Sequence, residues 1–283
     1  MAKFVPDIKT KRWVVISPHR VGRPGADEIG LKGEKKVCPF CSGNEKLTPP
    51  EVFRVGEGET DKPGWRIRVV PNKFPITDTH EVIIHSPDHQ KDIETLTHHE
   101  VVNLFKVYRE RFLVHDKDGQ VIIFCNHGRP AGASLDHPHS QLVVIPQQIN
   151  LDALSLEPAC NIVKETDYFI AYCPDFSQWP YEVWMVPKIR IKNQELRLEE
   201  SVERKFGEIN DREIENLVQL LQQILRQLRK LFPDLYYNYY IYPGDNWYLR
   251  IIPRLVDRAG FELGTGLSVN IKDPTEAARE LKD

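Results

Sequence analysis

The 283-residue chain is 41% hydrophobic and 28% charged, with a formal net charge of −3 at pH 7; this is the make-up of a globular protein and excludes disorder throughout. No stretch approaches the ~20 uninterrupted apolar residues of a membrane span, and the start, MAKFVPDIKTKRW, lacks the apolar core of a signal peptide. The charge gives no general basic footprint for nucleic acid, and Cys38, Cys41, Cys125, Cys160 and Cys173 lack the density of a disulfide-stapled secreted domain. A cytoplasmic protein with neither a nucleic-acid nor a membrane partner is expected.

In chain order, the first seventy residues are rich in Pro, Gly and charge and are expected as loops and short strands. Glu81 to Ile84 reads as a strand. Thr97 and Glu100 then form a capping-box pair ahead of Val101, Leu104, Phe105, Tyr108 and Phe112, whose spacing of three and four predicts an amphipathic helix. Strands follow at Val121 to Phe124 and at Leu142 to Pro146. The order then recurs: a strand at Glu182 to Pro187, a helix opened by Asn210 and Glu213 and carried by Ile214, Leu217, Val218, Leu221, Ile224, Leu225 and Leu228, then strands at Tyr236 to Tyr242 and Trp247 to Pro253. Both copies end in an apolar strand stopped by proline, Pro146 and Pro253. This predicts an α+β fold from an internal duplication, mostly antiparallel, with one long helix per unit and units at 1–147 and 148–283. The charged stretch from Arg190 to Gly207 is expected as a connection or exposed helix, and Trp65, Trp179 and Trp184 as core residues.

The sharpest local feature is His137-Pro138-His139-Ser140-Gln141, running into the strand from Leu142. On an extended backbone residues two apart share a face, so His137, His139 and Gln141 project together beside a turn containing Gly128, Gly132 and Ser134. Two histidines and a glutamine in register point to a site; the alternative is a strand end with incidental histidines.

Cys38-Pro39-Phe40-Cys41 is the second feature. In a thioredoxin-like dithiol this pattern opens a helix after a buried strand. Here Glu34-Lys35-Lys36 precedes it, and Ser42-Gly43-Asn44 with Pro49-Pro50 prevents a helix from continuing. Such a knuckle suits two thiolates on a zinc ion, with His89 and His137 available as further ligands, or else two free cysteines in a loop.

Together CPFC, Pro71-Asn72-Lys73-Phe74-Pro75, Ser86-Pro87-Asp88-His89 and above all Asn126-His127-Gly128 with Gly132, Ser134 and HPHSQ resemble the galactose-1-phosphate uridylyltransferase family, a transferase branch of the histidine-triad superfamily. The resemblance runs from Ser17-Pro18-His19-Arg20 with Arg23 to Gly260-Phe261-Glu262. It implies duplicated histidine-triad-like units, one structural zinc on Cys38, Cys41, His89 and His137, His139 as nucleophile and Gln141 on the phosphoryl group. It also implies that Asn72, Asn126 and Ser134 bind nucleotide and phosphate, Arg20 and Arg23 the phosphate side, and Glu262 the sugar, delivered across a homodimer. Two departures stand out. Asp245-Asn246-Trp247-Tyr248 lacks the histidines that form a second metal site in many members, so one metal per chain is expected. Lys73 also replaces the acidic residue common there, which leaves the base open.

The implied reaction moves a uridylyl group between UDP-glucose and a hexose 1-phosphate such as galactose 1-phosphate, by ping-pong exchange through a nucleotidyl-histidine. Gln141 suits transfer, because hydrolytic members of the superfamily carry a third histidine there, and a carboxamide does no acid–base work. Two alternatives compete with this: a phosphorylase that uses inorganic phosphate on ADP-sugars or dinucleoside polyphosphates, and a catalytically silent zinc-stabilised binding module.

Overall fold

The computed structural model describes residues 2–7, 12–18, 20, 37–151, 159–188 and 204–282. They form an α+β fold whose named strands pair antiparallel, in two compact units. One comprises residues 1–92 and 114–151; the other comprises residues 93–113 and 152–283. Among the described residues no helix is long and apolar enough to cross a membrane.

In the first unit, β1 (Lys3–Pro6) and β2 (Trp13–Ile16) form a separate hairpin. β3 (Phe53–Gly56), β4 (Trp65–Pro71), β5 (His80–Ile84), β6 (Gln120–His127) and β7 (His139–Ile145) lie in the order β3-β4-β5-β7-β6. The expected strands at 81–84, 121–124 and 142–146 are thus present as β5, β6 and β7. β7 begins three residues earlier than its apolar run and takes in the last three residues of HPHSQ, His139 to Gln141. Being central, β5 has no exposed residue and β7 none but partly covered ones, with Ile83, Ile84 and Leu142 wholly enclosed. Trp65, at the start of β4, is a core residue as expected.

The second unit contains both long helices up to Leu113. α1 (His98–His115) and α2 (Asp211–Leu231) start at the expected caps: Thr97 and Glu100 bond reciprocally, and so do Asn210 and Glu213, with Asn210 Oδ1 accepting the Glu213 amide at 3.1 Å and Glu213 Oε2 accepting the Asn210 amide at 2.7 Å. In chain order each copy of the strand–helix–strand pattern carries one long helix. The first helix is tied into this unit: Leu104, Phe105 and Tyr108 of its stripe are buried, Gln222 donates to the carbonyls of Ile93 and Leu96 just before it at 2.8 and 2.9 Å, and the hydroxyls of Tyr108 and Tyr239 bond at 2.7 Å.

The sheet of this unit runs β11 (Tyr237–Ile241), β12 (Leu249–Pro253), β10 (Val183–Pro187), β9 (Phe169–Tyr172), β8 (Ile162–Glu165). β8, β9 and the C-terminal helices α3 (Gly260–Thr265) and α4 (Pro274–Lys282) have no counterpart in the sequence expectations. Of the charged stretch from Arg190 to Gly207, all but the last four residues lie outside the described residues; Arg204 there pairs with Glu213, and Phe206 is buried. Trp179 and Trp184 are core residues. Tyr248, which aligning the two Pro-stopped strands sets opposite Gln141, is enclosed in a stack with Trp184 at 4.2 Å and Tyr242 at 5.0 Å.

Candidate active site

The knuckle is shaped by local hydrogen bonds. Asn44 Nδ2 donates to the Cys38 carbonyl at 2.9 Å, and the Glu45 carboxylate accepts the Gly43 amide at 3.0 Å and the Trp65 indole N–H at 2.8 Å. Gly43 sits at φ +94°, a conformation that disfavours any other residue. Burial works against the charge on Glu45, but the Trp65 and Gly43 donors and nearby Arg68 outweigh it and hold the carboxyl below its usual range.

This turn, the loop after β5 and the segment leading into β7 bring Cys38, Cys41, His89 and His137 together, with one ligand atom of each within 4.8 Å of the others. A tetrahedral zinc with Zn–S of about 2.3 Å and Zn–N of about 2.0–2.1 Å needs S···N edges of roughly 3.6 Å. Cys38 Sγ lies 3.7 Å and Cys41 Sγ 3.6 Å from His137 Nδ1, and Cys41 Sγ lies 3.3 Å from His89 Nδ1. His137 Nε2 donates to the Ser86 carbonyl at 2.8 Å, which leaves Nδ1 unprotonated on the cluster side. Burial pushes His137 down to about 4 against the raising effect of Ser86, and burial with the Cys38 thiol pushes Cys41 up to about 11. The four side chains fit a closed Cys₂His₂ metal site in number, type and spacing.

Two residues on, His139 Nδ1 donates to the His137 carbonyl at 2.8 Å, so the lone pair belongs to Nε2. Burial holds this imidazole below its ordinary pKa. Phe40, inside CPFC, packs edge-on against it at 5.2 Å and against His137 at 6.0 Å, coupling the knuckle to the strand.

The β5–β7–β6 register sets the face on which His139 and Gln141 lie. Val82 pairs with Gln141 and Phe124 pairs with it from the other side, while Ile84 pairs with His139. That face forms the floor of a cavity of about 290 Å³, lined by the apolar Phe40, Leu47, Val70, Phe74 and Leu135 and by the polar Arg20, Asn72, Asn126, Ser134, His139 and Gln141. Ser134 follows a short 3-10 turn, Arg129–Ala131, flanked by Gly128 at φ +82° and Gly132 at φ +86°; both backbone conformations favour glycine. Arg20 reaches the same wall, donating to the Phe74 carbonyl at 3.1 Å.

Six of the residues singled out in the sequence therefore line one cavity, and four more form the adjacent cluster. Arg23 lies outside the described residues. Glu262 lies on α3 of the other unit, where its carboxylate accepts the Ala259 amide at 3.0 Å. Sequence reading missed His80 and Phe40. His80 was accessible to the same period-two argument, since it shares a face of β5 with Val82 and Ile84; Phe40 is in reach of His139 only through the folded knuckle.

The N-terminal domain model of a family described as a domain of unknown function (DUF4931) matches residues 25–148. Over 98% of this chain and 91% of the other, the sequence is 27% identical to ADP-glucose phosphorylase of Arabidopsis thaliana. The crystal structure of an ADP-glucose phosphorylase from that plant with bound ADP-glucose covers 100% of this chain and 99% of its own, with a TM-score of 0.72 at 25% identity. Galactose-1-phosphate uridylyltransferase of Thermotoga maritima is 23% identical over 97% of this chain and 96% of its own. A uridylyltransferase structure, 21% identical and covering 100% of this chain and 98% of its own, shares the fold with a TM-score of 0.74. The chain is thus a relative of the galactose-1-phosphate uridylyltransferases and of ADP-glucose phosphorylase, and it has their α+β fold.

Proposed function

We propose that the chain is a nucleotidyltransferase of this group in which His139 Nε2 takes the nucleotidyl group from a nucleoside diphosphate sugar and passes it to a phosphate-type acceptor. The observation that carries the reading is the pairing of a committed tautomer with a cavity: His139 Nδ1–H is bonded to a carbonyl, and His139 lines a 290 Å³ space whose wall combines apolar side chains with phosphate-type donors.

In the first half-reaction the lone pair on Nε2 attacks the α-phosphorus, an N–P bond forms, the bond from that phosphorus to the bridging oxygen breaks, and sugar 1-phosphate leaves. In the second, an acceptor phosphate oxygen attacks the same phosphorus and His139 departs as neutral imidazole. Because Gln141 moves no proton, the intermediate is spared water activation at that position. Asn72, Asn126, Ser134 and Arg20 are suited to hold the nucleotide and its phosphates. Arg23, and Glu262 supplied by the partner copy of a homodimer, complete the site in this reading.

Cys38, Cys41, His89 and His137 would hold one zinc, and a closed set of four protein ligands supplies structural rigidity rather than an open position for water. The chain's own groups do the chemistry: His137 fixes its Nδ1 toward the cluster, and its carbonyl fixes the ring of His139.

ADP-glucose with inorganic phosphate is the donor–acceptor pair favoured by the 27% identical relative and its nearly full coverage. UDP-glucose with galactose 1-phosphate is the second reading, favoured by the relative from Thermotoga and by the sequence motifs. The test offers each donor labelled in the α-phosphate, without acceptor and then with either acceptor. Acid-labile label on the parent, absent from His139→Asn, is expected; label retained on His139→Asn would reject His139 as nucleophile, and no label from either donor would reject the function.

A further inference from the structure

The strand paired beside the proposed nucleophile carries a histidine to which nothing above gives a role. His80 is buried on β5, on the same face as Val82 and Ile84 and diagonal to Gln141. Its Nδ1 accepts the backbone N–H of Ile76 at 2.9 Å. A backbone amide can only donate, so the ring proton must sit on Nε2. That Nε2 lies 2.9 Å from Gln141 Oε1, and the bond therefore has a fixed direction, from histidine to glutamine oxygen.

Asn72 repeats the device. Its Oδ1 accepts the Phe74 backbone N–H at 2.8 Å, so its Nδ2 faces the other way, 3.5 Å from the same Gln141 Oε1. Asn72 Nδ2 and His80 Nε2, 3.1 Å apart, both approach that oxygen, the histidine more closely. Two backbone amides in the loop between β4 and β5 thus each orient a side chain, and both side chains orient one carboxamide.

We infer that His80 is a positioning residue: by donating to Oε1 it fixes the carboxamide of Gln141 so that the NH₂ end faces the reacting phosphoryl group. Without it, the amide is free to turn by half a revolution and present its oxygen, an acceptor, to an anionic phosphate. Exchange of donor for acceptor at that spot replaces attraction by repulsion, although no residue in contact with substrate has been substituted. This also explains a buried histidine beside a site that already has its nucleophile: a neutral imidazole donates without bringing a charge into the floor of the cavity.

The inference rests on the proposed reaction, and the experiment separates the two. His80→Phe keeps the ring volume, and His80→Gln keeps a donor near the Nε2 position; His80→Phe is made both in the parent and in Gln141→Ala. The readout is the single-turnover rate of label transfer to His139 from α-labelled ADP-glucose or UDP-glucose, with KM for the donor. His80→Phe is expected to slow transfer roughly 10- to 100-fold, the range for outer-shell partners, with KM little changed. His80→Gln should recover most of the rate, and His80→Phe should add no further loss in Gln141→Ala. Equal loss in both backgrounds, or no loss in the parent, would reduce the ring to a space filler and overturn the inference. Independently of activity, nitrogen NMR of histidine-labelled parent protein, with the His80 signals identified by their absence in His80→Phe, should show the Nε2–H form. The Nδ1–H form would refute the geometry. A parent that forms no labelled intermediate with either donor overturns the proposed function, while the NMR result still decides how His80 is bonded.

Discussion

The metal cluster makes the most demanding prediction, because its effect on stability can be worked from the chain it closes. Cys41 and His89 are separated by 48 residues. His89 and His137 enclose another span of the same length. Cross-linking a loop of that size removes roughly 4 kcal/mol of chain entropy from the unfolded state, on the relation used for disulfides. An intact cluster closes two such loops, so its upper bound is about 8 kcal/mol, comparable with the whole stability of many domains. Cys41→Ala removes the thiol with contacts to both histidines, at 3.3 Å to His89 and 3.6 Å to His137. Losing the metal with it opens both closures, so the cost rises to at most about 8 kcal/mol, which at ~2–4 °C per kcal/mol lowers the melting temperature by up to about 16–32 °C.

Calorimetry and elemental analysis on the same samples test this. The parent is expected to carry about one zinc per chain; Cys41→Ala and chelator-treated parent should lose metal and melt early, and Cys160→Ala, in the other unit, should do neither. Nucleotidyl transfer should fall with metal occupancy, since the ring of His139 is held by the carbonyl of the ligand His137. Zinc and melting temperature both unchanged in Cys41→Ala would refute the assignment of the four side chains. A parent that loses its zinc without a shift in melting would refute the loop-closure reasoning.

Two further outcomes follow from the floor of the cavity. Burial pushes His80 down to about 4, with Arg20 and His139 adding to the effect and Gln141 and Glu81 opposing it. The folded protein therefore resists a proton that the unfolded chain accepts near 6.5, so stability is full above pH 6.5 and is lost as pH falls toward 4. This one group contributes on the order of 3 kcal/mol to that loss, at 1.36 kcal/mol per pKa unit. Urea unfolding from pH 7.5 to 4.5 should show the parent losing more stability than His80→Phe, and parallel curves would remove His80 from the account. Gln141→His places an acid–base group where the carboxamide stood, held by the same His80 and Asn72 donors. Free nucleoside monophosphate should then accumulate without acceptor, with an effect of ~10²-fold plausible for a well-placed general acid or base; a parent that already hydrolyses the donor as fast as it transfers would end the transferase reading.

How much of this was legible in the sequence depended on whether a signal is local. The two helices declared themselves through Thr97–Glu100 and Asn210–Glu213, because a capping box and the apolar stripe behind it lie within one short window. β5, β6 and β7 were legible as apolar runs for the same reason. β8 and β9 were not: each has four residues, too few to establish a period, and the register of β8 shifts between Ile162 and Lys164. α3 is six residues long and α4 nine, and each falls below the length at which a stripe can be told from chance.

The site divides along the same line. Alternation alone set His139 and Gln141 on one face, because a strand fixes the direction of every second side chain whatever it pairs with. What faces Gln141 is a different question. It depends on Val82, and no neighbour of Val82, being opposite it, which is a property of two strands almost sixty residues apart. A slip of one residue in that pairing would turn His80 to the far face of the sheet and leave the Gln141 carboxamide without its donor. The register is fixed by the enclosed Ile83 and Leu142 on the opposite face, residues with no part in the chemistry. Chemical identity at this site is thus written in the motif of β7, whereas the orientation of its key amide is written in the packing of the sheet beneath it, and only the first of these can be read without a fold.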